Sequence, residues 1–272
     1  MHEKRNDRPN KRDFQNRRED RREERRELAE DMIEGRNAVT EALRSGRAID
    51  KVFLASGDTD KALARLAAQA KEAGAVVVAT DRRKLDMMSP TGAHQGIMAQ
   101  VAAHDYATVE EILQKAADQG EAPLLVLCDE LTDPHNLGAI LRTAECAGAH
   151  GVIIPKRRSV GLTAVVSKTS AGAVEYMPVA RVSNMAATIR DLKKQGIWVY
   201  GAAGGSKTDL YHADFKGAAA IVIGNEGQGM SRIVEESCDV LVSIPMKGRI
   251  SSLNASAAAS ILLYEALRQR NG

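Results

Sequence analysis

Three short stretches place polar, chemically able side chains where a plain structural sequence needs none. The first, DELTDPHNLGAILRTAE (residues 129–145), carries Asn136 and, six residues on, Arg142. Asp133-Pro134 is a turn signal, and if Asn136 lies just before the helix it can reach the same mouth as Arg142. The plain alternative is an asparagine helix cap beside a surface arginine. His135, next to Asn136, is read as a turn residue in preference to a general base, because an imidazole base needs a geometry no spacing reveals. The second stretch, IVIGNEGQGMS (221–231), sets Gly224, Gly227 and Gly229 after an apolar run. Glycine lets a ligand approach the backbone. Glu226 inside that turn points its carboxylate where a substrate would sit, which a bare strand-to-helix turn does not require. The third, SSLNASAAAS (251–260), puts Ser252, Leu253 and Asn254 at a helix start. Capping by serine and close packing of the alanines account for part of it. Neither accounts for Asn254, a middling helix former. No GxxxxGK[ST] or GxGxxG is present, so neither a phosphate-binding P-loop nor an ordinary dinucleotide site is supported.

Each stretch must be held by a strand ahead of it and a helix behind it. From Pro123 onward the chain alternates apolar runs (PLLVLCDEL, GVIIP, VEYMPVARV, IWVYGAA, AAAIVIGN, VLVSIPM) with helical patterns. That alternation implies a mostly parallel sheet covered on both faces. Ligands of such sheets bind beyond the carboxyl ends of the strands, where all three stretches fall. Residues 32–106 show a shorter alternation of the same kind, read as a small α/β domain, with 107–122 as linker and 123–272 as the larger domain. Residues 1–31 are almost all charged or amide. They cannot bury enough apolar area to offset chain entropy, and are expected to be disordered, either a solvated extension or a loose phosphate-binding arm.

The 272-residue chain is 44% hydrophobic but only 3% aromatic, so Ala, Val, Leu and Ile must build the core. Its net charge of +2 excludes little as an average. No run approaches the roughly 20 apolar residues of a membrane span, and there is no apolar signal core. Cys128, Cys146 and Cys238 are far apart and odd in number. They read as reduced core residues of a cytoplasmic protein, with no metal-ligand spacing.

In order and content, N136-L-G-A-I-L-R142-T, I223-G-N-E226-G-Q-G-M-S and I244-P-M with S251-S-L-N254-A-S resemble the three motifs of the SpoU, or TrmH, family of RNA ribose 2′-O-methyltransferases of the SPOUT class. The resemblance covers about residues 122–270. Residues 32–106 resemble the family's small substrate-binding domain, an L30e-like fold. GRNAVTEAL and the two-domain layout most resemble the RlmB type, which acts on a guanosine of 23S rRNA. The resemblance implies a C-terminal α/β knot, a deep trefoil that departs from the rule that chains are unknotted. It implies a homodimer whose sites are each completed by the other subunit. S-adenosyl-L-methionine is the implied cofactor, held by Gly224, Ile244 and Leu253, with the Gly201–Gly205 turn assisting.

Methyl transfer from a sulfonium to a hydroxyl needs no metal. Alignment of oxygen and methyl carbon supplies much of the rate. An arginine can hold the neighbouring phosphate bidentately, and Asn and Ser can orient ribose hydroxyls. The resemblance therefore assigns Arg142 as central, with Asn136, Glu226, Ser252 and Asn254 around it. A guanidinium rarely gives up its proton, so phosphate or Glu226 is the expected acceptor. Three targets stay open: 23S rRNA guanosine, tRNA guanosine and rRNA adenosine. So does a module that binds RNA without catalysis.

Overall fold

The computed structural model describes residues 31–57, 60–89, 91–225 and 227–272. Its first unit is a four-stranded sheet in the order β1-β4-β2-β3, built from β1 (Met32–Glu34), β2 (Ile49–Ala55), β3 (Val76–Thr80) and β4 (Ile97–Val101). β2 and β3 are parallel, whereas β4 runs antiparallel to both β1 and β2. Three helices accompany it: α1 (Arg36–Arg44), α2 (Lys61–Glu72) and α3 (Arg82–Met88). Asp60 and Asp81 start the last two by accepting from Ala62 N and Arg83 N, both at 2.8 Å, which satisfies amides that a helix start leaves unpaired.

The second unit is a seven-stranded sheet, β7-β6-β5-β10-β8-β11-β9, with every pairing parallel. The strands are β5 (Leu124–Cys128), β6 (Gly151–Pro155), β7 (Val179–Val182), β8 (Trp198–Ala202), β9 (Thr208–Asp209), β10 (Ala219–Ile223) and β11 (Val240–Ser243). Side chains of a strand alternate between faces, and the central strands use both. Leu124, Val126 and Cys128 enter the core on one side of β5, and Leu125 and Leu127 the core on the other. β10 divides likewise, Ile221 and Ile223 against Ala220 and Val222. Fully burying each Leu, Ile or Val contributes about 1.5–3 kcal/mol, so the uninterrupted apolar runs, without polar alternation, specify a sheet sandwiched between helix layers. Those layers are α4 (Val109–Gln119), α5 (Pro134–Cys146), α6 (Ala164–Thr169), α7 (Met185–Lys194), α8 (Arg232–Ser237) and α9 (Ala255–Asn271).

Residues 107–122, expected as a linker, contain α4. Thr108 and Glu111 close a reciprocal capping box, and Gly120 ends the helix in the left-handed conformation. Ile112 is fully buried against β6; a Cβ at Gly151 would sit 2.5 Å from its Cγ2, so glycine there lets the helix settle onto the sheet. Asp31, placed in the charged tail by sequence, is buried; the rest of that tail lies outside the described residues. Of the three cysteines, Cys128 is buried and Cys238 partly so, but Cys146 is exposed on the outer side of α5, against the expectation of a core residue. All three are free. No described helix is long and apolar enough to cross a membrane.

Candidate active site at the strand ends

Asp133, and not Asn136, caps α5. Its carboxylate accepts from His135 N at 2.9 Å, and Pro134 takes the first helical position, where its missing N–H costs nothing. Asn136 thus lies within the first turn, and it is buried. Its amide is oriented by chemistry. A carboxylate is an acceptor, and Asn136 Nδ2 donates to that of Asp133 at 3.0 Å. Asn136 Oδ1 is left to accept, and Asn254 Nδ2 donates to it at 2.9 Å. Asn254 Oδ1 in turn accepts from Ser256 N, Ala257 N and Ser256 Oγ at the start of α9. The result is one polarised relay from the cap of α5 to the cap of α9, joining the first and third sequence stretches across 118 residues.

Asn254 is therefore the helix cap that the serines were expected to provide; Ser251 and Ser252 are exposed and cap nothing. Thr143 and Ser260 add a second tie between the two helices at 3.1 Å. Arg142 is exposed and makes no hydrogen bond or ion pair among the described residues. Six residues carry it about 240° round the helix from Asn136. Asn136 is inside the helix, not ahead of it. His135 is exposed, with Nδ1 3.5 Å from Thr169 Oγ1, and its backbone amide serves the turn.

The second stretch leaves β10 at Gly224 and folds back on itself. Asn225 N donates to Gly229 O at 2.9 Å, and Gly229 N donates back to Asn225 O at 2.8 Å. This pinches the chain so tightly over Gly224 that a Cβ there would lie 2.2 Å from the Gly229 carbonyl carbon. Asn225 also receives Gly227 N at 2.9 Å on Oδ1 and donates from Nδ2 to Glu130 O at 3.1 Å, tying the turn to the end of β5. Glu226 lies outside the described residues.

Beside this turn is a cavity of about 730 Å³ lined by Gly224, Ile244, Ser252 and Leu253, together with Gly204 and Gly205. All three residues expected to hold a cofactor meet there, although they come from parts of the chain up to 29 residues apart in number. Asn136, Arg142 and Asn254 do not line it. Arg249 supplies its one charged side chain among the described residues. Sequence reasoning passed over Arg249, Asp133 and Asn225. Asp133 had a legible signal, an aspartate immediately ahead of a proline-led helix. The other two had none, since a loop arginine or an asparagine between glycines is common.

The walls suit a nucleoside ligand of mixed character. Ile223, Val242, Ile244 and Leu253 offer an apolar bed, glycine backbone offers close hydrogen-bonding groups, and Ala255 and Ala258 keep the start of α9 thin. Nucleophilic cysteine chemistry is not served here. Burial, with Asp129 nearby, pushes the Cys128 thiol up to about 12, and burial does the same for Cys238. Both stay protonated at neutral pH.

A fully parallel sheet whose glycine turn and following helix start enclose such a cavity defines an α/β protein with a nucleoside-sized ligand site beyond its strand ends. The chain belongs to the SpoU rRNA methylase family, whose sequence model matches residues 123–264. A second model, RNA 2′-O ribose methyltransferase substrate binding, matches residues 32–107. The chain is 46% identical over 241 residues to YacO of Bacillus subtilis (strain 168), which is assigned to the TrmH family of tRNA/rRNA methyltransferases; the match covers 89% of this chain and 96% of that one. Among solved structures it is similar to the SpoU methyltransferase AviRb of Streptomyces viridochromogenes in complex with AdoMet, with a TM-score of 0.57, 27% identity and coverage of 88% and 90% of the two chains. An AdoMet-bound rRNA methyltransferase of Sinorhizobium meliloti gives a TM-score of 0.55 at 26% identity, covering 87% and 86%.

Proposed function

We propose that this chain methylates a ribose 2′-hydroxyl of RNA with S-adenosyl-L-methionine, and that its target is a guanosine of 23S rRNA. The observation that carries the chemistry is the cavity in which Gly224, Ile244, Ser252 and Leu253 converge, with the Asn136–Asn254 relay at the start of the same helix. When bound, the cofactor supplies a methyl group on a positively charged sulfur, a leaving group that needs no metal. Gly224, Ile244 and Leu253 hold it by backbone groups and apolar contact. Ser252 faces the ribose. Asn254 has committed Oδ1 to the cap and one amide hydrogen to Asn136, which leaves one hydrogen for a ribose oxygen.

Arg142 holds the phosphate next to the target and orients the 2′-hydroxyl, and that phosphate or Glu226 takes the proton. Because Arg142 is exposed and far round α5 from Asn136, it serves the site of a second copy. A homodimer through α5 and α9 is supported by the exposed Ile261 and Tyr264, which follow Ser260 on α9. Residues 32–106 present the RNA and 123–272 form the knotted catalytic domain.

Calorimetry with S-adenosylhomocysteine separates catalysis from mere RNA binding: micromolar binding is expected, and none at high micromolar ligand favours a module without catalysis. Maps of 2′-O-methyl sites in rRNA and tRNA, with and without the gene, identify the target. Loss of one guanosine methyl in large-subunit rRNA is expected; loss in tRNA, at an rRNA adenosine, or nowhere, overturns the assignment.

A further inference from the structure

Where the two units meet, four segments bury a charged cluster that the cavity does not use. β2 and β4 pair Ile49 with Val101 and then Lys51 with Gln100, so Asp50 is the extra residue of a β-bulge. A bulge re-aims its side chain, and Asp50 leaves its own sheet for the larger unit. There its Oδ1 accepts from Arg181 Nη1 at 2.6 Å and from the Tyr106 hydroxyl at 2.9 Å. Arg181, on the edge strand β7, also donates from Nη2 to the Asp50 and Lys156 carbonyls at 3.3 and 3.4 Å, and lies 4.9 Å over the Tyr106 ring. The Tyr106 hydroxyl accepts from Leu162 N at 2.8 Å. Both charged side chains are at least nine-tenths buried, at 3% and 9% exposure.

Stability is a poor explanation for this cluster. A buried ion pair is commonly no better than an apolar pair of the same volume, and this one leaves Asp50 Oδ2 with no hydrogen-bond partner. Burial raises the Asp50 carboxyl above the ordinary aspartate range despite the adjoining guanidinium. What a buried, directional pair provides is a unique geometry. Gly161 makes the fit exacting, since a Cβ there would fall 1.9 Å from Asp50 Oδ2 and 2.7 Å from the Tyr106 hydroxyl. A second tie runs parallel to it: Asp31 Oδ2 accepts Ala164 N at 2.9 Å, at the start of α6.

We infer that Asp50, Tyr106 and Arg181 are positioning residues that fix the angle at which the substrate-binding unit presents RNA to the catalytic unit. This rests on the function proposed above. The cluster touches neither the cavity nor the Asn136–Asn254 relay, so cofactor binding and the chemical step are independent of it. Loosening it disperses the RNA contacts made by the first unit relative to those made by the second, and RNA binds as two weakly coupled halves.

The test uses the full chain with four variants: Arg181→Met, Arg181→Lys, Gly161→Ala and Tyr106→Phe. Gly161→Ala is the most informative, because it displaces the carboxylate while removing no charge. Expected for Arg181→Met and Gly161→Ala is a KM for substrate RNA raised about tenfold, with kcat and S-adenosylhomocysteine affinity within twofold of wild type; Tyr106→Phe gives a smaller rise and Arg181→Lys partial rescue. Small-angle scattering should show a broadened distance distribution between the units. Folded variants with unchanged RNA KM and unchanged scattering overturn the inference. So does a parallel fall in kcat and cofactor affinity, which would make the cluster merely structural. If the wild-type chain binds no S-adenosylhomocysteine and methylates no RNA, the functional proposal fails, yet the scattering still decides whether the cluster holds the units at one angle.

Discussion

Asn254 performs two jobs that a double-mutant cycle can separate. Replacing it with alanine removes the cap of α9, a loss of about 1 kcal/mol. It also leaves the buried Asn136 Oδ1 without its donor, a further cost of about 1–2 kcal/mol. Asn254→Ala should therefore destabilise the chain by about 2–3 kcal/mol, a Tm loss of about 5–10 °C at this size. In an Asn136→Ala background the contact with Asn254 no longer exists. The same substitution then costs only the cap, about 1 kcal/mol. Urea denaturation of the wild type, both single variants and the double variant yields the coupling energy directly, expected at about 1–2 kcal/mol. A coupling below about 0.3 kcal/mol, the level at which unconnected sites simply add, would refute the relay. Asn254→Asp is a useful companion: it still caps α9 but turns an acceptor toward Asn136 Oδ1, so it should stay helical and lose methyl transfer.

Three further outcomes test separate parts of the site. Gly224→Ala must push the Gly229 carbonyl away by more than 1 Å and open the Asn225–Gly229 pairing, so S-adenosylhomocysteine affinity should fall about 10–100-fold, roughly 1.4–2.7 kcal/mol, by calorimetry; unchanged affinity separates that turn from the ligand. Arg142→Lys keeps the charge but loses the planar fork, so methyl transfer should drop at least about tenfold while cofactor affinity holds; near-normal turnover removes Arg142 from its assigned role. Glu265 is held down to about 2 by hydrogen bonds from Arg268, from an ordinary value of 4.5. A depressed carboxyl stabilises the fold above its unfolded pKa and loses that contribution as pH falls toward its folded pKa. Glu265→Gln should thus be less stable at pH 7 in thermal melts, with the gap to wild type closing between pH 4.5 and about 2; a constant gap contradicts the assignment.

Much of the architecture was legible because its causes are local. Unbroken apolar runs such as LLVLC and AAIVI require cover on both faces, and that requirement alone implies a parallel sheet between helices. The glycines around Glu226 and the polar start of α9 mark ligand territory for the same reason: nothing in local propensity asks for them. Segment 107–122 carries a capped amphipathic helix whose seat on the sheet was not legible. Its burial depends on Gly151, far ahead in the chain.

The assignment of roles depended on distance relations that no spacing encodes. Sequence left open whether Asn136 precedes its helix and offered no local reason for Asn254. Only the folded chain brings their amides within 2.9 Å, where an aspartate cap at one end and free helix amides at the other dictate which way each amide must turn. The same holds for Asp50, an unremarkable acid at the start of a strand until a bulge, a glycine and an edge-strand arginine 131 residues away enclose it. By itself the sequence determined the layers, the strand ends at which a ligand can sit and the residue types available there, because hydrophobic period and glycine freedom are properties of neighbours along the chain. Which polar groups meet, and which of their hydrogen bonds remain for a substrate, was decided by tertiary structure, because hydrogen bonds act over about 3 Å in space and are indifferent to separation in sequence.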